Sequence, residues 1–542
     1  MEKLINNSKN QLNNEDILTK IKDEELEKMN HDELVKLVKK LNSDIMRYEE
    51  FFKIQNKKRY GASSEKVDKD QVTFFDFDEA VKTVEESEKP IEEPTIETLV
   101  KKRRKRREKG EVGLNKDCFK DLEVREVTHD FPEALCDTCG SKLRFLKDEI
   151  HEELEVIPPQ FIIKRHIIKV YSCSTCEKEN NNPIKKSPAP IPAFKGGFAS
   201  ASLVANIMAK KYVEKIPFYR YEQNLKDNGI FISRANMSNW TIDASENYLE
   251  GVYNKLHQHL LSQKIIHADE TPFQVLKEEG KTAQSKSYIW HFNSAAVAKE
   301  QISMYMYKPT RHGKHAAEFL EGFNGYLQTD EYAGYNSVRD ITRVGCMAHA
   351  RRKFTDAITA LPKNAEAKAT IANEALTRIN ELFSIEKKLS DLSGEERYRK
   401  RLDLAKPKVE ALEEWLKSQR PKVSPKSKLG EAIVYFITHF DHLSRYLDDG
   451  DLEISNNRSE RGIKQFVIGR KNYLFSDSVR GAKSAGVIFT IVETAKANNL
   501  NPEKYLTYLI NELSQNKQTD EKLEEVMPWS NSIPEDIKVK KQ

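Results

Sequence analysis

The sequence lacks any long apolar run. No stretch approaches the roughly 18 apolar residues that a membrane-spanning helix requires, and the first residues, MEKLINNSKNQLNNED, lack the apolar core of a secretory signal. Hydrophobic residues make up 38% and charged residues 32% of the 542 residues, a balance typical of a globular chain with extended polar segments. At about 100–200 residues per domain, the length accommodates several domains. We therefore expect a multidomain cytoplasmic protein with no membrane partner.

The sequence also has little net charge, because 89 basic residues nearly balance 85 acidic ones. The charges are nevertheless separated along the chain. Residues 76–97 hold nine acidic and two basic residues, and residues 101–107, KKRRKRR, are seven consecutive cations. This pattern predicts a disordered linker over 64–115 whose basic run contacts a polyanion. The run consists of Lys101, Lys102, Arg103, Arg104, Lys105, Arg106 and Arg107.

Cysteine is scarce, with six residues in the chain, yet four of them form two Cys-x-x-Cys pairs. Cys136 and Cys139 are separated from Cys173 and Cys176 by 33 residues. In a cytosolic chain this spacing favours metal over disulfides, and four thiolates form a closed, structural zinc site. We predict a small zinc-binding module over 120–185, in which runs such as Phe161 to Val170 form short strands. The alternative is four reduced cysteines without a metal.

Two helical segments are candidates for interactions with partners. Over residues 24–56, apolar residues recur every three or four positions, which predicts a helix that pairs with a second copy as a coiled coil or packs on its own chain. Over 197–250, the segment PFYRYEQNLKDNG ends in a glycine, and Ser233 is placed to cap a following helix. This helix-turn-helix pattern predicts a DNA-binding region. The second helix, with Arg234 at its start, is the candidate for reading DNA sequence.

Three acids stand where an active site is expected. Short apolar runs predict strands at KIIHAD (264–269), SYIWHF (287–292), ISMYMY (302–307), GYLQTD (325–330) and TRVGCMA (342–348), with a helix at 312–323. This order, followed by a late helix, is that of the α/β ribonuclease-H-like fold. In that fold one acid lies on the first strand, a second ends the fourth, and a third lies on the late helix. Those positions hold Asp269, Asp330 and Glu460.

The chemistry of phosphodiester cleavage explains this choice of residues. Two Mg²⁺ (or Mn²⁺) ions about 4 Å apart activate the attacking oxygen and stabilise the leaving oxygen. Magnesium prefers hard oxygen ligands and keeps several waters, so a few converging carboxylates suffice. Spacing alone favours the alternative that Asp269 and Asp330 are solvated loop acids and Glu460 is an ordinary helix acid. Cations near the third acid provide attraction for a polyanion, and we predict DNA contacts from Arg461, Lys464, Arg470 and Lys471.

Longer motifs resemble one family. HADETPFQVL (267–276), LQTDEYAGYNSV (327–338), CMAHARRKF (346–354) and NNRSERGIKQFVIGRKNYLFSDSVRGAKSAG (456–486) closely resemble the transposases of the insertion sequence 66 family. The leucine-rich helix before RYGASSEK, the four cysteines, and KYVEKIPFYRYEQNL before SRANMSNW are similar to that family in the same order. The resemblance covers nearly the whole chain.

The resemblance implies a magnesium-dependent transposase of the DDE type, which cleaves and joins strands at the terminal inverted repeats of a bacterial insertion sequence. The family's acidic triad corresponds to Asp269, Asp330 and Glu460. It implies a catalytic core over 260–348 and 452–500, a helical insertion over 349–447, and a C-terminal helical segment with a polar tail over 501–542. The expected partners are terminal-repeat and target DNA, a second copy in a synaptic dimer or larger assembly, and small accessory proteins. When bound to DNA, the protein is expected at the nucleoid.

Two other functions compete with this prediction. One is a catalytically silent relative that only binds DNA, and the intact triad disfavours it. The other is a ribonuclease-H-like nuclease that cuts without joining. Both enzymes use the same acids and metals, so only the family resemblance separates them.

Overall fold

The computed structural model describes residues 31, 33–35, 37–38, 160–172, 184–188, 191–194, 197–361 and 370–539. They belong to two compact units, one built from residues up to 89 and 192–538, the other from residues 90–191 and the last residues of the chain. The four paired cysteines, the basic run 101–107, the predicted linker and most of the predicted helix 24–56 lie outside the described residues. Within that helix, the described positions 31, 33–35, 37 and 38 are helical. No helix of the described ranges is long and apolar enough to cross a membrane.

The described part of the smaller unit contains a two-stranded antiparallel sheet. Strand β1 (Val170–Ser172) pairs with β2 (Ile184–Lys186), with Val170 opposite Lys186. The predicted strand from Phe161 to Val170 is wrong over most of its length, because residues 160–169 are exposed and adopt no strand. The segment is rich in β-branched residues, which favour a strand, but a strand also needs a hydrogen-bonding partner.

Four helices begin the larger unit: α1 (Ala201–Tyr212), α2 (Phe218–Asp227), α3 (Arg234–Ala244) and α4 (Glu250–Leu261), with a π-helical turn (Ser245–Leu249) before the last. Gly229, at φ +74°, follows the end of α2, in a conformation that glycine adopts without strain. The Ser233 side chain accepts the backbone N–H of Asn236 at 3.2 Å. The predicted cap is therefore confirmed, and α2 and α3 form a helical hairpin.

The centre of this unit is a mixed six-stranded sheet. Its strands are β3 (Ile265–Lys277), β4 (Lys286–Ser294), β5 (Ser303–Lys308), β6 (Tyr326–Gln328), β7 (Thr342–Val344) and β8 (Phe475–Ser478). The order is β5-β4-β3-β6-β7, and β8 pairs with the far end of β3. β3, β4 and β5 are antiparallel, whereas β3, β6 and β7 are parallel. Helix α5 (Lys314–Phe319) connects the two halves.

Three predicted strand limits are wrong, the first of them in the strand predicted over 325–330, which ends at Gln328 before the second acid. The first strand does not end at Asp269 but continues to Lys277, because β4 and then β8 supply hydrogen-bonding partners beyond the acid. The predicted strand 342–348 ends at Val344, and a helix starts at Met347. The apolar residues that follow Val344 are buried in a helical core, and apolar character alone does not distinguish that environment from a strand.

The segment between the second and third acids forms its own helical body. It contains α6 (Met347–Thr359), α7 (Ile371–Lys388), α8 (Gly394–Leu404), α9 (Lys406–Gln419), α10 (Lys428–Thr438) and α11 (Phe440–Ser444). Phe354, Ile379, Leu412 and Phe436 lie in its apolar core. This core is separate from the main cluster, which includes the sheet residues Trp290 and Phe292.

The C-terminal helices close the sheet. They are α12 (Asn457–Tyr473), α13 (Val479–Ala497), α14 (Pro502–Gln515) and α15 (Asp520–Glu525). α13 lies directly on β5: the Thr490 hydroxyl accepts the backbone N–H of Tyr305 at 2.8 Å. A Cβ at Gly486 would lie 2.8 Å from the Tyr305 carbonyl oxygen, so only glycine allows this approach.

Candidate active site

Asp269 lies on β3, and Asp330 lies two residues past the end of the neighbouring strand β6. β3 pairs in parallel with β6 up to His267 opposite Gln328. Two residues further along each chain, the same register brings Asp269 next to Asp330, at the end where β6 stops. The structure thus brings together two acids that 60 residues (270–329) separate in the sequence.

Glu460 approaches the same strand from the first turn of α12. The side chain of Asn456, the residue before this helix, holds it in place: its Nδ2 donates to the carbonyl oxygen of Ala268 at 2.8 Å. Its Oδ1 lies 3.1 Å from Nδ1 of the buried His267. These two bonds fasten the start of α12 to the backbone immediately before Asp269.

A second attachment runs through His291, which lies opposite Asp269 on β4. Its Nδ1 is 2.9 Å from the hydroxyl of Ser459, and its Nε2 is 2.8 Å from the hydroxyl of Ser303. A Cβ at Gly462 would lie 2.2 Å from the His291 ring, so glycine is required where the helix passes it. Burial lowers the pKa of His291 to about 3, with the nearby Arg458 adding to the effect. The ring is therefore neutral and acts as a fixed hydrogen-bonding spacer.

The three predicted acids interact electrostatically. Burial raises the pKa of Asp269 well above its usual range, and the charges of Glu270, Glu460 and Asp330 raise it further. Burial likewise raises the pKa of Asp330. Carboxylates that repel one another in a partly desolvated site favour a bound cation, whose charge would reverse both effects.

The carboxylates of Asp269, Asp330 and Glu460 are suitable ligands for divalent metal ions, but they do not form one compact coordination sphere. Cys346, His349 and Glu460 form one compact cluster in the described part of the chain, because one ligand atom from each lies within 4.8 Å of the others. Asp269 and Asp330 belong to no cluster of that tightness. The three carboxylates are thus spread more widely than the ligands of a single ion. Two metal ions about 4 Å apart require such a spread, and the carboxylate oxygens are ligands that Mg²⁺ accepts.

Glu270 is a fourth acid at this edge that the sequence argument did not select. Its side chain is 1% exposed and is held by Nε of Arg311 at 2.7 Å and by the hydroxyl of Tyr335 at 2.7 Å. The Arg311 guanidinium also stacks on the Tyr332 ring, 3.7 Å from its centroid. In the sequence, the two adjacent acids of HADE and the tyrosines of DEYAGY were the features that could have pointed to Glu270 and its contacts. Spacing alone does not show that they meet.

Helix α6 contributes cationic and thiol groups near the third acid. Nδ1 of His349 lies 3.6 Å and Nη2 of Arg352 lies 3.7 Å from the Glu460 carboxylate. Burial and the neighbouring cation Arg352 lower the pKa of His349 to about 3, so the ring is neutral. Burial raises the pKa of Cys346 to about 12, and its Sγ accepts the backbone N–H of Asn456 at 3.1 Å. Cys346 is therefore a protonated thiol in this structure, outside the metal set predicted from the paired cysteines.

The predicted DNA-contacting cations differ in their environments. Arg461 and Lys471 on α12 and Arg234 on α3 are exposed, whereas Lys464 is half-buried. Nη1 of Arg470 donates to the Thr271 hydroxyl at 3.1 Å and to the Pro272 carbonyl oxygen. Arg470 thus already binds β3 and is less available to a phosphate than its neighbours. Residues 101–107 lie outside the described ranges.

Comparison with protein families assigns most of the chain. Residues 196–484 match the model described as "Transposase IS66 family", and residues 490–529 match the "IS66 C-terminal element". Residues 133–177, which include the four paired cysteines, match the "zinc-finger binding domain of transposase IS66". Residues 47–127 match "Transposase C of IS166 homeodomain".

Curated relatives come from Sinorhizobium fredii. The uncharacterized protein y4hP is 29% identical over 425 residues, which cover 76% of this chain and 75% of the relative. The uncharacterized protein y4jD is 28% identical over 415 residues, covering 73% and 78% respectively. The similarity therefore extends over most of both chains.

Proposed function

Because this chain belongs to the IS66 family of transposases, we propose that it cleaves the terminal inverted repeats of a bacterial insertion sequence and joins them to target DNA. One observation carries the proposal: β3, β6 and α12 bring Asp269, Asp330 and Glu460 to one edge of the sheet. The sheet order, with three antiparallel strands followed by two parallel ones, supports a ribonuclease-H-like catalytic core. We propose the same three acids as the catalytic triad.

Asp269, Asp330 and Glu460 would hold a pair of Mg²⁺ or Mn²⁺ ions. When bound, these ions would supply activation of the attacking water or 3′-hydroxyl and stabilisation of the leaving oxygen. The protein's own part is to position its carboxylates. Asn456 fastens the start of α12 to β3, and His291 fastens it to β4, so that the Glu460 carboxylate is placed before DNA arrives.

DNA binding is proposed for several separate surfaces. Arg461 and Lys471 are exposed on the helix that carries Glu460, so they can meet the phosphates of a strand in the site. The α2–α3 hairpin presents Arg234, and the zinc finger and the basic run 101–107 provide further contacts. Joining two ends of an element to a target requires both ends together, which favours a dimer or larger assembly, with residues 24–56 as a candidate interface and accessory proteins as further partners.

The test is a plasmid mobility assay with a mini-element that carries the native ends. Asp269→Asn, Asp330→Asn and Glu460→Gln each keep the shape of the side chain and remove its charge. We expect each to reduce transposition by at least about 100-fold, because residues that merely orient a metal ligand already contribute 10–100-fold. Asp451→Asn is the matched control, since Asp451 forms a surface ion pair with Lys264 at 3.1 Å.

The assay separates the alternatives. Each variant is checked for folding by circular dichroism and for binding to end DNA by gel shift. Full mobility of a folded triad variant would remove that residue from the triad. Cleavage of the ends without joining by the wild type would indicate a nuclease, and DNA binding without either reaction would indicate a silent relative.

A further inference from the structure

A second group of ligand-type side chains lies next to the proposed active site but is not part of it. Glu331 directly follows Asp330, and its Oε2 is 3.0 Å from Nδ1 of His442 and 3.2 Å from Nδ1 of His439. One ligand atom from each of the three side chains lies within 4.8 Å of the others. The two histidines are spaced as His-x-x-His at the junction of α10 and α11.

One polar atom in this group lacks a partner. The Glu331 side chain is only 3% exposed, and its Oε1 accepts no hydrogen bond from the residues that the structure describes. This oxygen points toward Gly345, where a Cβ would lie 2.7 Å from it. A buried carboxylate oxygen without a donor costs free energy, and a metal ion bound by both oxygens of the Glu331 carboxylate would remove that cost.

The ligands select a borderline transition metal. Two imidazoles and one carboxylate form a common zinc site with an open fourth position, whereas Mg²⁺ prefers an all-oxygen shell. The His439 and His442 rings are each a little under one-third exposed, so an ion and a water can reach them.

One contact opposes a cation here. Nη2 of Arg343 lies 3.5 Å from Oε2 of Glu331. The same nitrogen lies closer to the Thr329 hydroxyl, at 3.1 Å, and to the Asp330 carbonyl oxygen, at 3.0 Å. Its guanidinium also donates to the Asn336 side chain. Arg343 therefore keeps its stronger hydrogen bonds when Glu331 turns toward a metal.

We infer that Glu331, His439 and His442 bind a zinc ion that fastens the helical insertion to the loop carrying Asp330. The two elements already touch through the bond between Glu331 and His442, and beside it the backbone N–H of Gly345, just after β7, donates to the His442 carbonyl oxygen at 2.8 Å. The ion would connect α10 and α11 to the residue next to the second acid. This site is separate from the four-cysteine zinc finger and from the proposed magnesium site, and it does not depend on the proposed function.

The experiment measures zinc in the full chain after exhaustive dialysis against buffer with Mg²⁺ and trace Zn²⁺. Zinc is measured by inductively coupled plasma mass spectrometry. We expect the wild type to hold one more zinc ion per chain than the double variant His439→Gln/His442→Gln. His312→Gln is the matched control, because His312 is exposed and lies outside the group. The variant Asp269→Asn/Asp330→Asn should keep the extra zinc.

Equal zinc in the wild type and in a folded histidine variant would overturn the inference. Loss of the extra zinc only with the two aspartates would also overturn it, by assigning the ion to the other site.

A measurement on the wild type alone covers the case in which the histidine variant fails to fold. X-ray absorption at the zinc edge distinguishes sulfur ligands at about 2.3 Å from nitrogen and oxygen ligands at about 2.0–2.2 Å. A four-cysteine site together with the proposed site gives both shells. A spectrum with sulfur alone would contradict the inference, and Glu331→Gln should lower the nitrogen and oxygen signal.

Discussion

The helical insertion and the sheet edge both bury charged side chains, but they do so in opposite ways. In the insertion, Arg401 is 1% exposed and pairs with Glu386 through two hydrogen bonds of 2.9 and 2.6 Å. Its remaining donors bind the carbonyl oxygens of Tyr446, Asp449 and Leu452. At the sheet edge, burial raises the pKa of Asp269, and the charges of the neighbouring acids raise it further.

This difference in charge pairing distinguishes buried charges with a structural role from buried charges with a functional one. A buried charge whose donors and acceptors are all matched holds its surroundings in one arrangement. Like charges gathered at a partly buried edge destabilise the empty fold and persist where a ligand supplies the opposite charge. The matched ion pair is thus a structural feature of the insertion, and the unmatched acids support the proposed cation site. The predictions below test this distinction in order of decreasing effect.

The largest effect is expected from breaking the buried ion pair. Arg401→Met leaves Glu386 charged, buried and without its partner, which should lower the free energy of unfolding by about 3–5 kcal/mol. Urea denaturation followed by circular dichroism measures this. Arg399→Met is the matched control: Arg399 pairs with Glu395 one turn away on the exposed face of α8, so its urea midpoint should not move. Adding Glu386→Leu to Arg401→Met should recover most of the lost stability, and a failure to do so would mean that the pair is not the cause.

A smaller loss is expected from the side chain that attaches α12 to β3. Asn456→Ala leaves the Ala268 carbonyl oxygen and the His267 ring without their partner, which should cost about 1–3 kcal/mol of stability. Because Glu460 then loses its fixed position, transposition should fall about 10–100-fold, while binding of end DNA remains. Asn472→Ala, at an exposed position near the end of the same helix, is the control. Unchanged transposition in a folded Asn456→Ala protein would show that this attachment does not position the acid.

The unbalanced acids predict a pH dependence of stability. Folding raises the pKa of Asp269. The folded chain therefore keeps a proton on this carboxyl group that the unfolded chain releases at about pH 4. Stability from this group is therefore present at low pH and is lost as pH rises through the folded pKa. Asp269→Asn should melt a few degrees above the wild type at neutral pH, and the difference should shrink on acidification. Mg²⁺ should raise the melting temperature of the wild type more than that of the variant. A difference that does not change with pH would contradict this account.

The smallest effect is expected at an exposed ion pair away from the acids. Arg480 donates to the Glu246 carboxylate from Nε at 2.5 Å, and its Nη2 lies 3.3 Å from Asp243. Such surface pairs contribute little to stability. Arg480→Ala should therefore leave both the urea midpoint and transposition unchanged. In contrast, Arg461→Ala should weaken the binding of DNA, and the size of this effect should depend on the salt concentration. A large loss of transposition in Arg480→Ala would extend the DNA-binding surface to α13.

Local patterns in the sequence determined much of this molecule. The glycine after α2 and the Ser233 cap define the helical hairpin, because turn and cap preferences depend on a few adjacent residues. Two Cys-x-x-Cys pairs predict a zinc module, and residues 133–177 match the family's zinc-finger model. The family motifs selected Asp269, Asp330 and Glu460, and the register between β3 and β6 brings the first two together.

Only the tertiary structure decided which other side chains meet these acids. His291 comes from the neighbouring strand and Asn456 from the residue before a distant helix, and no spacing rule connects partners 168–189 positions apart in the sequence. The same holds for Glu331 with His439 and His442, which are more than 100 residues apart in the sequence and are joined where the insertion returns to the sheet. Strand length was also decided this way, since β3 continues past Asp269 only because β4 and β8 provide partners. Local preferences act through neighbours along the chain, whereas a site assembled from four elements depends on packing that brings distant residues together.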